Sequence, residues 1–231
     1  MQKIRNPFRD LTKFELVLWL TSMLVTTLSF FFSPTRDILT LLASLVGFTA
    51  LIFTAKGYVL GQVLIVVFAA LYGIISYRFA YYGEMITYLG MSAPVAIFAI
   101  ISWLRHPYKK TAEVAVHRMR GKELLLLSLL TAAVTALFYF LLGALGTANL
   151  IVSTVSVATS FFAASLTVLR SPFYALAYTA NDVVLIVLWI SASIKDISSL
   201  PMVVCFVMFL ANDLYGLYSW LRMQKRQADT V

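Results

Sequence analysis

Charge is scarce in this sequence, and what there is avoids the apolar stretches. Charged residues make up 12% of 231 positions against 61% hydrophobic ones, and the mean hydropathy is +0.89. A water-soluble domain needs far more polar surface, so the composition excludes one and requires an integral membrane protein. Cysteine is nearly absent. Cys205 stands alone inside an apolar run, which excludes an intrachain disulfide and any CxxC metal pattern. Histidine is limited to His106 and His117, both in one long basic loop, where solvation rather than metal ligation is expected. No metal or cofactor is expected elsewhere either. No lysine lies deep in an apolar run, which argues against the Schiff base of a retinal photoreceptor. The net charge of +8 comes from basic residues between the apolar runs. Their placement predicts loops beside an anionic membrane leaflet rather than a nucleic-acid surface.

What is abundant is apolar sequence long enough to cross a bilayer, which takes about 20 residues at 1.5 Å rise each. Eight such runs are present, at about 14–32, 38–55, 58–77, 85–104, 124–145, 149–169, 173–192 and 200–221. The first follows Lys3, Arg5, Arg9 and Lys13, as a signal peptide would. It is longer than a signal core and lacks a small-residue exit, so it is expected to be a retained span. Eight spans with the N-terminus inside place every lysine and arginine except Arg36, Arg78 and Lys195 on one side, out of 18. That bias predicts a multi-pass membrane protein with both termini cytoplasmic.

The halves read as a repeat. Spans two to four and six to eight are both three-helix units. Each joins its first two helices through a short basic turn, Ala55-Lys56-Gly57 in one and Arg170-Ser171-Pro172 in the other. Each ends on the same four residues, Ser102-Trp103-Leu104-Arg105 and Ser219-Trp220-Leu221-Arg222. One span between them gives both units the same orientation, a parallel repeat about the membrane normal. The expected organisation is therefore an extra N-terminal helix (1–35), a first three-helix bundle (36–104), a basic loop and linker helix (105–147), a second bundle (148–222) and a tail (223–231).

Polar groups interrupt the apolar runs in few places. Asn181-Asp182 and Asn212-Asp213 each follow an alanine near the middle of a span. A carboxylate at the bilayer centre costs about 2.5–3.5 kcal/mol, so it is expected to face a partner or a cavity. Helical spacing sets Tyr174, Tyr178 and Asn181 on one stripe, with Tyr178, Asp182 and Trp189 on the next. Tyr215 follows the second triplet. In the first half, Gln62 and Tyr72 lie inside span three, and Tyr88, Pro94 and Trp103 inside span four. Tyr77, Arg78, Tyr81, Tyr82 and Glu84 crowd the outer mouth, with Glu84 placed to offset Arg78. Amides and carboxylates among rings suit a flat, polar organic ligand. Pro94 is expected to loosen its helix where a moving bundle bends.

Tyr82-Gly83-Glu84, the segment from Asn181 to Trp189, and Asn212-x-x-Tyr215-Gly216-x-x-x-Trp220 resemble the PnuC family of bacterial nicotinamide riboside transporters. AKG at 55–57, LYGIISY at 71–77 and ISWL at 101–104 extend the likeness from about Asp37 to Arg222. The resemblance implies an all-α integral membrane protein of eight transmembrane helices. Two parallel-oriented three-helix bundles are joined by a linker helix, as in SWEET sugar transporters, with an added N-terminal helix. It also implies facilitated diffusion of the vitamin, trapping by a cytoplasmic kinase, and a homotrimer. The family's stacking pattern Trp-x-x-Trp-x-x-x-Asn falls here on Tyr174, Ala177 and Asn181, so the asparagine is kept, one ring becomes tyrosine and one is lost. Where the family carries amides in span four, this chain has Tyr88 and Ala96.

Together these readings make the chain a transporter and not an enzyme. Tyr174, Tyr178 and Trp189 are expected as aromatic walls and Asn181 as polar anchor, with Asp182, Asn212, Tyr215, Gln62, Tyr72, Glu84 and Tyr88 as further substrate-binding candidates. Two alternatives differ from this. One is a transporter of another B-type vitamin or nucleoside, such as thiamine, riboflavin or a deoxynucleoside. The other is an intramembrane hydrolase using Asp182 and Asp213 as a dyad, which requires their carboxyls to meet.

Overall fold

A computed structural model describes residues 6–34, 37–78, 82–109, 111–147 and 149–229. Lys3, Arg5, Arg36 and Tyr81, named above, lie outside these, as does Lys110, counted among the 18 basic residues. Among the described residues the chain is all-helical, apart from two isolated bridge pairs, Pro107 with Val114 within the loop after residue 105 and Glu113 of that loop with Tyr58. The helices are α1 (Lys13–Phe32), α2 (Ile38–Ala55), α3 (Val59–Arg78), α4 (Tyr82–Ile86), α5 (Ala93–Arg105), α6 (Gly121–Ala144), α7 (Leu150–Val168), α8 (Tyr174–Lys195) and α9 (Leu200–Ala228). A π-helical stretch, Thr87–Ser92, joins α4 to α5, so that Tyr82–Arg105 forms one interrupted span. Eight helical segments are then long and apolar enough to cross a membrane.

Two local features differ from the sequence expectation. The π stretch lies immediately before Pro94, which lacks the N–H that a regular helix would use there. The wide turn absorbs the proline without a break in the span. The tail expected from 223 is instead the last two turns of α9, because Gln227 finds partners on the loop. Val116 N donates to Gln227 Oε1 (2.8 Å), and Gln227 Nε2 donates to Val114 O (3.1 Å).

Six helices close a ring. α2 packs on α3, α3 on α5, α5 on α7, α7 on α8, α8 on α9, and α9 returns to α2. α1 lies outside against α2 and α9, and α6 lies outside against α7. The glutamate of α1's capping box, Glu15, fixes α1 there. It is buried, pairs with Lys56 Nζ (3.0 Å) and accepts from Tyr215 Oη (2.8 Å). A single buried carboxylate thereby ties α1 to the turn after α2 and to α9.

The two Ser-Trp motifs explain how the ring is sealed at one end. The last carbonyls of a helix have no partner within it. At the end of α2 they take Trp220 Nε1 on Thr54 O (2.8 Å) and Ser219 Oγ on Ala55 O (2.7 Å). At the end of α7 they take Trp103 Nε1 on Thr167 O (2.9 Å) and Ser102 Oγ on Val168 O (2.7 Å). The two indoles, 0–1% exposed, meet at a centroid distance of 5.5 Å. The turns they cover match as well. Gly57 (φ 69°) and Arg170 (φ 58°) are left-handed, and the loop binds each, through Val114 N to Gly57 O and His117 N to Arg170 O, both 3.0 Å. The loop therefore lies across this end of the ring, called the loop face below.

Close packing at the α2–α3 turn makes a prediction. A Cβ on Gly61 would stand 2.3 Å from Thr54 Oγ1 and 2.5 Å from Thr54 N. Backbone cannot give way as a side-chain tip can. Gly61→Ala is expected to cost about 1–3 kcal/mol by overpacking, read as a lowered melting temperature in detergent; an unchanged melt contradicts the packing.

Candidate functional site

The ring encloses a polar cavity. α8 contributes Tyr174, Tyr178, Asn181 and Asp182, and α9 contributes Phe206, Phe209 and Asp213. α3 adds Gln62 and Phe68, the π stretch adds Tyr88 and Ser92, and α7 adds Ser160. The α8 residues share one stripe because three, four and seven steps along a helix return to one face. The enclosed space is about 70 Å³, well below the roughly 300–1,000 Å³ of drug-sized ligand sites. The rings Phe68, Phe206 and Phe209 fill it from the α3 and α9 sides, Phe68 and Phe209 at 5.5 Å. A ligand therefore requires the ring to open from this closed state.

Several polar groups are positioned before any ligand arrives. Thr159 Oγ1 (2.8 Å) and Ser160 Oγ (2.9 Å) both approach Asn181 Oδ1, which orients the amide and leaves its NH2 end for a ligand. Gln62 Nε2 donates to Thr54 Oγ1 (3.2 Å). The Asp182 and Asp213 carboxyls meet across the α8–α9 seam, within hydrogen-bonding reach. A dyad of that kind is what the hydrolase alternative required, so geometry alone does not separate it from a binding role.

The remaining candidates divide into two groups. Tyr72 and Trp189 stand behind the cavity wall. Trp189 Nε1 donates to Tyr72 Oη (2.9 Å), and the Tyr72 ring lies 4.2 Å from that of Tyr88. They brace the lining from behind, and both rings are buried. Asn212, Tyr215 and Glu84 lie away from the cavity. Asn212 Nδ2 donates to Ser22 Oγ of α1 (2.9 Å) and to Met208 O (2.7 Å). Tyr215 serves Glu15. Glu84 is buried at the end of the ring opposite the loop face, and does not offset Arg78. Arg78 Nη1 is instead 3.8 Å from Asp37 Oδ1.

Asp213 and the three phenylalanines belong to the lining but not to the candidate set. One step along a helix turns by about 100°, so Asn212 faces α1 while Asp213 faces the cavity. The repeated triplet marked the place, but not which of its two polar residues turned inward. A larger concavity, about 700 Å³, opens outside the ring between α6, α7 and α8. Its walls, among them Leu124, Phe162, Leu166 and Phe173, are apolar. It lacks the convergent polar groups of a ligand site.

The comparisons with known proteins bear on a chain with this ring and this cavity. The family model described as nicotinamide mononucleotide transporter matches residues 37–222, which runs from the cap of α2 into α9. The chain belongs to this transporter family. The nicotinamide riboside transporter PnuC of Neisseria mucosa is 28% identical over 229 residues, 97% of this chain and 87% of that protein. The crystal structure of the vitamin B3 transporter PnuC superposes with a TM-score of 0.82 at 28% identity, covering 94% of each chain. The family match begins where α1 has ended, so α1 lies outside the matched region. Membership in a family of transporters also decides the dyad question: this chain is not an enzyme.

Proposed function

We propose that the chain takes up nicotinamide riboside across the bacterial cell membrane, binding it in the cavity of the six-helix ring. The observation that carries the reading is the α8 stripe. Tyr174 and Asn181 stand where the family pattern puts a stacking ring and its asparagine, and both line the one enclosed polar space described inside the ring. The nearly full-length likeness to a nicotinamide riboside transporter supports the same substrate. Tyr174, Tyr178 and Tyr88 form walls, Asn181 and Gln62 bind polar edges, and Tyr72 and Trp189 hold the wall from behind.

In this reading α2–α3–α5 and α7–α8–α9 are the two parallel bundles, α6 is the linker helix, and the loop face is cytoplasmic by its basic residues. The bundles rock about the midplane cavity. The Ser102–Trp103 and Ser219–Trp220 bonds each join one bundle to the other, so opening toward the cytoplasm breaks both pairs. Movement is by facilitated diffusion, and a cytoplasmic kinase traps the vitamin. The functional unit is a homotrimer.

Replacement of one family ring by Tyr174 and loss of another at Ala177 favours a second reading, a related flat-ringed vitamin or nucleoside. Isothermal titration of the purified protein with nicotinamide riboside, thiamine, riboflavin and deoxyuridine separates the two. Binding of nicotinamide riboside ahead of the other three supports the proposal; preference for another compound moves the substrate and leaves the site.

A further inference from the structure

The cavity has one electrostatic feature that shape and hydrogen bonding do not explain. Among its described lining residues, Asp182 and Asp213 are the only ones of charged type, and no lysine, arginine or histidine faces them. Both are almost wholly buried, at 3% and 4% exposure. Asp182 Oδ2 receives no hydrogen bond from any described N–H or O–H donor, and the group beside it is the other carboxyl. Two basic side chains of the ring helices and their turns are held by other carboxylates: Lys56 pairs with Glu15 outside the ring, and Arg78 lies beside Asp37. Buried charge without a counter-ion is costly and is normally paired.

The other lining groups have the same preference. Phe68, Tyr88, Tyr174, Tyr178, Phe206 and Phe209 surround the pair. Aromatic faces carry negative potential and attract cations, most strongly where water is excluded. Carboxyls within an aromatic box match the chemistry of a flat ring that bears a fixed positive charge. Even with one proton shared between them, the two carboxyls retain one net negative charge.

We propose that the cavity is a cation site in which Asp182 and Asp213 together supply the counter-charge for a permanently cationic heterocycle, and so select it over a neutral ring of the same shape. The inference rests on the transport reading above, because the pyridinium of nicotinamide riboside is such a ring. It also ranks the rivals: the thiazolium of thiamine fits the pair, whereas neutral riboflavin and deoxyuridine do not.

The test is a titration of the purified full chain with nicotinamide riboside and with benzamide riboside, its neutral carbon-linked isostere. Wild type is expected to bind the cation at least about thirtyfold more tightly. Asp182→Asn and Asp213→Asn, which keep shape and remove charge, are each expected to shrink that ratio to within about threefold, mainly by weakening the cation. Equal wild-type affinities overturn the inference, and that comparison needs no variant to fold. Equal weakening of both ligands in the variants also overturns it, since a merely structural role gives that result. Either of those outcomes leaves the transport reading standing. Absence of nicotinamide riboside binding in wild type defeats the reading and the inference together.

Discussion

Trp220→Ala is expected to destabilise the protein by about 3–5 kcal/mol, the range for emptying a buried aromatic site. The indole is fully buried, sits edge-on to Tyr174 at 4.9 Å, contacts Trp103, and caps the last turn of α2 through Thr54 O. Truncation leaves a cavity between the two halves of the ring and removes one of the donors to Thr54 O, leaving the Gly57 N–H. For a chain of this length the loss corresponds to a melting temperature lower by about 10 °C. Cys205 provides the readout. It is the only cysteine and is buried, so a thiol-reactive dye labels it only as the chain unfolds. Trp103→Ala is expected to give a similar shift, because its bonds to the end of α7 mirror those of Trp220 to α2. Trp220→Phe keeps one ring but loses the hydrogen bond and part of the buried volume, so its shift is expected to fall between those of the parent and the alanine variant. A Trp220→Ala melt within about 2 °C of the parent contradicts the role assigned to the motif.

Asn181→Ala is expected to weaken nicotinamide riboside binding by about 100-fold, equivalent to about 2.7 kcal/mol. The amide is already oriented by Thr159 and Ser160, so alanine loses the ligand bond and leaves the buried Ser160 hydroxyl without its acceptor. Titration gives the dissociation constant, and the Cys205 melt shows separately whether the variant is folded. Tyr174→Ala is less informative alone, since Tyr174 also packs on Trp220. A folded Asn181→Ala protein with wild-type affinity places the ligand elsewhere.

How much of this was legible in the sequence depends on the range of the interaction. Spans are local, and runs such as 39–53 or 183–190 announce themselves because each residue must match lipid or a neighbouring helix. The α8 stripe was legible for the same reason, since Tyr174, Tyr178 and Asn181 share a face of one helix. The Ser-Trp repeat was visible as a repeated word, but its bonds to the ends of α2 and α7 join residues far apart in sequence. Those bonds go to carbonyls at helix ends, where the helix itself supplies no donor, and no side-chain pattern displays them. Asn212 and Asp213 show the limit most clearly. A single 100° step sends one to α1 and the other to the cavity, and only the packing of α1 decides which. Glu84 was matched with Arg78 by proximity in sequence, whereas the fold brings Asp37 to that arginine. The π stretch before Pro94 was anticipated only as a loosened helix.

The most direct test of the proposed function is uptake of labelled nicotinamide riboside into liposomes containing the purified protein, with no kinase and no ion gradient. The account predicts entry faster than into protein-free liposomes, levelling when inside and outside concentrations are equal. Entry no faster than into protein-free liposomes contradicts it.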